Sequence, residues 1–156
     1  NVQGDEPLID PQMIDFLATN MIEQTGLKVA TLIRRIEDAA DLSNPNVVKV
    51  VINRNNEAMY FSRQAIPFVR DFPVDSWLEH GVYYKHVGMY AYTSQALMAI
   101  EKLHMHPYEA LEKLEQLTWI AHGLSIECYE TNMESIGIDT EEDLKAVTSM
   151  IAELED

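Results

Sequence analysis

The sequence predicts an α/β protein, a layered mixed sheet flanked by helices. Three observations lead there. Segments rich in β-formers alternate with segments of helical periodicity along most of the chain. The 156 residues, 47% of them hydrophobic, are enough for one packed core and no more than one domain. No internal repeat or low-complexity stretch interrupts the pattern.

The first periodic stretch is DPQMIDFLATNMIEQTG. Asp10 reads as the N-cap, Pro11 as the first helical residue and Gly26 as the C-cap, with Met13, Ile14, Leu17 and Met21 on one face. KVATLIRRI then reads as a strand, and Asp38 to Leu42 as a short turn of helix. NVVKVVINRNNEAMYFS reads as a hairpin whose two β-rich runs flank the turn residues Asn53 to Asn56. The Pro67 and Pro73 segment, RQAIPFVRDFPVDSW, reads as irregular. YYKHVGMYAYT is the next strand. Its alternation sets Tyr84, His86, Gly88, Tyr90 and Tyr92 on one face and Lys85, Val87, Met89 and Ala91 on the other.

SQALMAIEKL reads as a helix capped by Ser94. HPYEALEKLEQLTWIAHG reads as the longest helix, from Pro107 to Gly123, with Ala110, Leu111, Leu114, Leu117 and Ala121 on one apolar arc. Glu115 falls on the margin of that arc, while Glu109, Glu112 and Lys113 read as solvated face. LSIECYET is a strand, and Asp139-Thr140 precedes a last helix with a capping-box-like Thr140-x-x-Asp143. The stub before Asp5 reads as the end of a strand.

The formal net charge of -15 argues against a nucleic-acid or anionic-membrane surface, either of which calls for clustered Lys and Arg. It leaves phosphate substrates open, because metal ions bridge carboxylate and phosphate. Cys128 is the single cysteine, so no internal disulfide forms, and a cytoplasmic setting is the expectation. No apolar run reaches the roughly 18 residues of a membrane span, and no signal peptide is visible.

Among chemistry-bearing residues, Asp5 and Glu6 follow a strand-like stub, and Asp139 stands just ahead of a helix. Two such carboxylates, beyond the carboxyl ends of strands, suit a shared Mg²⁺; a turn and a helix cap explain them equally by position. His86 and Tyr90 point the same way from one strand, as pocket-lining tips or as half-buried sheet. Arg63 suits an anion or the surface. His104 and His106 lack a nearby third ligand, and Cys128 reads as a core thiol. Neither a Gly-rich phosphate loop nor a serine nucleophile elbow is present.

Taken in order, QGDEP, VKVV, AMYFSRQAIPF, YKHVGMYAY, LEKLEQL and GIDTEEDL resemble the 3-deoxy-D-manno-octulosonate cytidylyltransferases, the CMP-Kdo synthetases of lipopolysaccharide biosynthesis. The likeness runs from Val2 to about Val147. It implies a nucleotide-diphospho-sugar transferase-like, Rossmann-like fold, incomplete at its N-terminus. Residues 1–156 would be the C-terminal part of one cytidylyltransferase domain, with 44–95 contributing the sugar-acid pocket and dimer contacts. The implied reaction couples CTP and Kdo to CMP-Kdo and pyrophosphate with Mg²⁺ as cofactor, in a cytoplasmic homodimer. The residues implied are Asp5 and Asp139 as catalytic metal ligands, Gln3 on the sugar acid, and Arg63, His86, Tyr90, Glu115 and Gln116 around Kdo.

Two departures stand out. Thr118 replaces the Arg usual in LEQLR, which leaves room for another 2-keto sugar acid such as 8-amino-Kdo. Glu141 replaces a common Pro, and a glutamate there suits the helix dipole. The family's CTP-holding loop, of the type IPAR-x-x-S-x-R-x-PGKPL, is not in this chain. The expectation is therefore that the polypeptide alone has no CTP site and no turnover. The alternative functions are a non-catalytic sugar-acid-binding or dimerising remnant and an unrelated Mg²⁺-dependent phosphatase. The second explains the Asp pair but not the remaining motifs.

Overall fold

The computed structural model describes residues 1–4, 7–133, 137–138 and 141–154. Its centre is a five-stranded mixed sheet in the order β3-β2-β4-β1-β5. The strands are β1 (Val29–Arg35), β2 (Lys49–Ile52), β3 (Ala58–Ser62), β4 (Tyr84–Tyr92) and β5 (Glu127–Glu130). β1 runs antiparallel to β4 and parallel to β5, and the β2–β3 hairpin joins β4 antiparallel. The edges also meet: the Ala58 amide donates to the Ile126 carbonyl at 2.9 Å and the Cys128 amide to the Asn56 carbonyl at 2.8 Å. The tip of the hairpin thereby satisfies part of the otherwise open edge of β5.

Helix α1 (Pro11–Glu23) begins as the sequence demands, with the Asp10 carboxylate accepting from the Gln12 amide at 2.9 Å. It ends at Gln24 rather than Gly26, which takes φ +93° in the turn that follows. Met13 and Leu17 seat α1 on one side of the sheet with Ala30, Leu32 and Met89. The other side carries the larger cluster, in which Val29, Ile33, Val50, Phe61 and Tyr90 meet Leu114, Leu117 and Trp119. The two faces expected for β4 therefore pack into two different layers, Tyr84, Tyr90 and Tyr92 in one and Val87, Met89 and Ala91 in the other.

Several expectations are corrected. The short helix expected over Asp38 to Leu42 is present as α2 (Ala39–Ser43), capped by Asp38, but the segment read as irregular holds a 3-10 turn (Val74–Ser76) leading into α3 (Trp77–His80). Trp77 supplies the reason, since it packs with Ile36, Leu42 and Tyr83 in a third cluster. Helix α4 (Ser94–Ile100) is capped by Thr93, one residue earlier than expected, whose hydroxyl accepts from the Ala96 amide at 3.1 Å.

The expected single helix over 106–123 is two, α5 (Pro107–Glu112) and α6 (Gln116–Ala121), broken where Lys113 turns left-handed at φ 56°. The apolar arc is broken with it: Leu114 and Leu117 are buried, but Leu111 is 78% exposed and Ala110 and Ala121 lie at the surface. Periodicity cannot see a break between two helices that share a phase. The β5 segment is likewise shorter than LSIECYET, and the last helix, α7 (Glu141–Leu154), follows.

Candidate functional site

A cavity of about 920 Å³ opens beside β4. It brings together Gln3, Arg63, His86, Tyr90, Glu115 and Gln116, all six of the expected substrate-contacting residues. Asp5 and Asp139, the expected metal ligands, lie outside the described residues. Each wall follows from local sequence. β4 supplies His86, Gly88, Tyr90 and Tyr92. The 113–116 break supplies Lys113, Glu115 and Gln116, because two short helices with a left-handed joint expose what one straight helix would not. The loop before β2 supplies Asn46, Val47 and Val48.

That loop is held from inside by Lys49, which sequence reading missed. Lys49 is fully buried, and its ammonium donates to the carbonyls of Asn44 at 2.8 Å and Val47 at 2.6 Å. Burial lowers its pKa from the usual lysine value, and Glu112 opposes the shift. The only sequence signal is a lysine in the middle of VVKVV, which alternation alone would place against the core.

Arg63 is positioned with equal care. Its Nε donates to the Glu112 carbonyl at 2.7 Å and its Nη1 to the Pro45 carbonyl at 3.0 Å. Two carbonyls thus fix the guanidinium in place, and among the described residues no carboxylate side chain pairs with it. Glu112, expected in the solvated face, instead accepts from the Ser62 hydroxyl and the Arg63 amide, both at 2.8 Å. Glu109 is also committed, to the Thr118 hydroxyl, which in turn accepts from the His106 amide at 2.8 Å. Thr118 is thus buried and clasps α6 to the start of α5, while His106 caps α5.

Among the described residues the cavity is lined by the basic side chains of Arg34, Arg63, Lys85 and Lys113 and by the carboxylate of Glu115, and Arg34 is already engaged. Lys85 is paired with Asp41 at 2.7 Å. Basic groups gathered in one hollow can favour an anion locally even in a chain of net charge -15.

Gln116 is 5% exposed and its amide makes no hydrogen bond among the described residues. The Tyr90 hydroxyl is buried without a partner among the described residues, and burial holds its pKa well above the usual tyrosine value, so it keeps its proton. Burial likewise pushes the Tyr92 hydroxyl to about 12. Burial drives His86 the other way, down to about 3, so its imidazole is neutral at pH 7. The Gln3 side chain lies over Gly88, where a Cβ would come within 3.2 Å of its amide carbon.

These features define a class: an α/β protein with a polar cavity lined by basic, amide and aromatic side chains beside its central strand β4. The comparisons specify it. The family model for cytidylyltransferases matches residues 1–135, and the chain belongs to that family. A 3-deoxy-manno-octulosonate cytidylyltransferase of Cytophaga hutchinsonii is 48% identical over 149 residues, covering 95% of this chain and 59% of its own length. The enzyme of the same name from Parabacteroides distasonis is 42% identical over 156 residues, covering 97% and 62%. A solved structure of CMP:2-keto-3-deoxy-manno-octonic acid synthetase complexed with CTP superposes with a TM-score of 0.86 at 38% identity, covering 98% of this chain and 61% of that one. The chain therefore spans about three-fifths of the length of the relatives it matches.

Proposed function

We propose that this chain carries the sugar-acid side of a CMP-Kdo synthetase, which couples CTP and Kdo to CMP-Kdo and pyrophosphate for lipopolysaccharide biosynthesis. The observation that carries this reading is the cavity in which Arg63, anchored on two carbonyls and without a carboxylate partner among the described residues, stands among Gln3, His86, Tyr90, Glu115 and Gln116. The relatives' names point the same way.

In the proposed reaction the anomeric hydroxyl of Kdo attacks the α-phosphorus of CTP, and pyrophosphate leaves. The chain's own residues act by binding and orientation, which suits a displacement with little covalent chemistry for the protein to perform. Arg63 holds the carboxylate of the sugar acid, because a guanidinium already braced through Nε and Nη1 loses little freedom on binding. Glu115 and Gln116 take hydroxyls. Asp5 and Asp139 are carboxylates, the donor type Mg²⁺ prefers, and would hold it; the ion would neutralise charge on the phosphates. A homodimer in the cytoplasm, with residues 44–95 at its contact, completes the reading. Among the described residues no helix is long and apolar enough to cross a membrane.

Calorimetric titration of the chain with Kdo tests the pocket, and pyrophosphate release by the full-length protein with CTP and Kdo tests the reaction. Saturable Kdo binding with CTP-dependent release supports the reading. Absence of both, with the protein folded, overturns it.

A further inference from the structure

Thr31 sits in the middle of β1, fully buried, beneath an irregularity in β4. The register passes from Thr31 opposite Tyr90 to Leu32 opposite Val87, so Gly88 and Met89 are extra residues on β4. The Thr31 hydroxyl lies 2.7 Å from the Met89 carbonyl, 3.4 Å from the Val87 carbonyl and 2.9 Å from Nε2 of His86. A hydroxyl has one proton to give. Carbonyl oxygens only accept, and at 2.7 Å the Met89 carbonyl claims that proton. The remaining contact is satisfied only if Nε2 of His86 carries hydrogen and donates to Oγ1.

We propose that Thr31 is a positioning residue: it locks His86 in the Nε2–H tautomer, leaving Nδ1 as a bare acceptor that takes a hydroxyl of the cavity ligand and not its carboxylate. Among the described residues Nδ1 has no partner, and His86 lines the cavity. The Tyr90 ring packs beside the imidazole, with ring centroids 5.1 Å apart. A bare acceptor suits an alcohol, which has a proton to give. A carboxylate can only accept, and it would meet the lone pair of Nδ1. This assignment rests on the sugar-acid reading above for its ligand, and it leaves the carboxylate to Arg63.

The test is ¹⁵N NMR of the histidine rings in the folded chain without ligand. The expected spectrum has His86 Nε2 protonated and Nδ1 unprotonated, unchanged between pH 8 and 6. Thr31→Ser keeps that signature, because it keeps the hydroxyl. Thr31→Val, if folded, shows a new Nδ1–H population. An Nδ1–H or mixed tautomer in the wild type, or in Thr31→Ser, overturns the proposal even if the valine variant does not fold. Kdo is then added as probe. A shift at Nδ1 supports the acceptor role, and saturation at Gln3 and Gly88 without one overturns it. The tautomer is read before any ligand is present, so a failure of Kdo to bind would count against the proposed function alone.

Discussion

Glu112 grips Arg63 from two directions. Its carboxylate accepts from the Arg63 amide at 2.8 Å, and its main-chain carbonyl accepts from the Arg63 guanidinium at 2.7 Å. The other carboxylate oxygen holds the Ser62 hydroxyl at 2.8 Å, so the end of β3 is sewn to the end of α5. Glu112→Ala strands two part-buried donors and is expected to cost about 1–3 kcal/mol in urea unfolding. Glu112→Gln keeps an acceptor and costs less. An alanine variant of unchanged midpoint would show that water replaces the carboxylate freely.

Gly88→Ala separates ligand binding from stability. The added Cβ would lie 3.2–3.3 Å from the Gln3 side-chain amide, and the exposed Gln3 can move aside. The unfolding midpoint is expected to change by no more than about 0.5 kcal/mol. Kdo affinity is expected to fall several-fold, because Gln3 leaves its place in the cavity. Equal affinity in a calorimetric titration would remove Gln3 from the site.

His86 gives stability an acid limb. The folded protein keeps the ring neutral down to about 3, while the unfolded chain protonates near 6.5, the ordinary histidine value. The unfolded state therefore binds more protons between these limits, and stability falls as pH drops through them. The loss at pH 5 relative to pH 8 is about 2 kcal/mol from this residue. Unfolding curves at the two pH values should show that difference in the wild type and a smaller one in His86→Gln.

Much of this was legible in advance, and the failures have physical causes. Alternation in YKHVGMYAY placed His86 and Tyr90 together because a two-residue irregularity preserves the side-chain parity of a strand. Asp10 and Pro11 announced α1, since capping chemistry is local. The break at Lys113 was not legible: a left-handed lysine carries no compositional mark, and the flanking helices keep a common apolar phase. The tasks of Glu112 and Lys49 were hidden for a different reason. Lys49 serves two carbonyls and Glu112 a hydroxyl and an amide about 50 residues away, and a sequence does not announce which of these groups will be nearby.

Cys128 is expected to be silent toward thiol reagents in the native state. It is 3% exposed, and burial, aided by Glu127, pushes its pKa up to about 12. Ellman's reagent at pH 8 should react only on unfolding. The alkaline consequence has a definite sign: above about 9 the unfolded thiol ionises and the folded one does not, so stability falls by up to about 1.4 kcal/mol per pH unit toward 12. Cys128→Ala should flatten that limb. Rapid native labelling would place the thiol at the surface.

Arg63→Lys tests what the guanidinium does that a charge alone cannot. Lysine keeps the positive charge but has one nitrogen where arginine uses two, Nε on Glu112 and Nη1 on Pro45. An ammonium that satisfies those carbonyls turns away from the cavity, and one that reaches the cavity abandons them. Either way the ligand loses a braced cation, and a charge-assisted hydrogen bond is worth about 1.5–3 kcal/mol. Kdo affinity should therefore fall about 10- to 100-fold in Arg63→Lys, nearly as far as in Arg63→Ala. Stability should separate the two, with the alanine variant losing both ties. If lysine restores most of the affinity lost in alanine, the site asks only for charge, and the bracing of Arg63 serves the fold rather than the ligand.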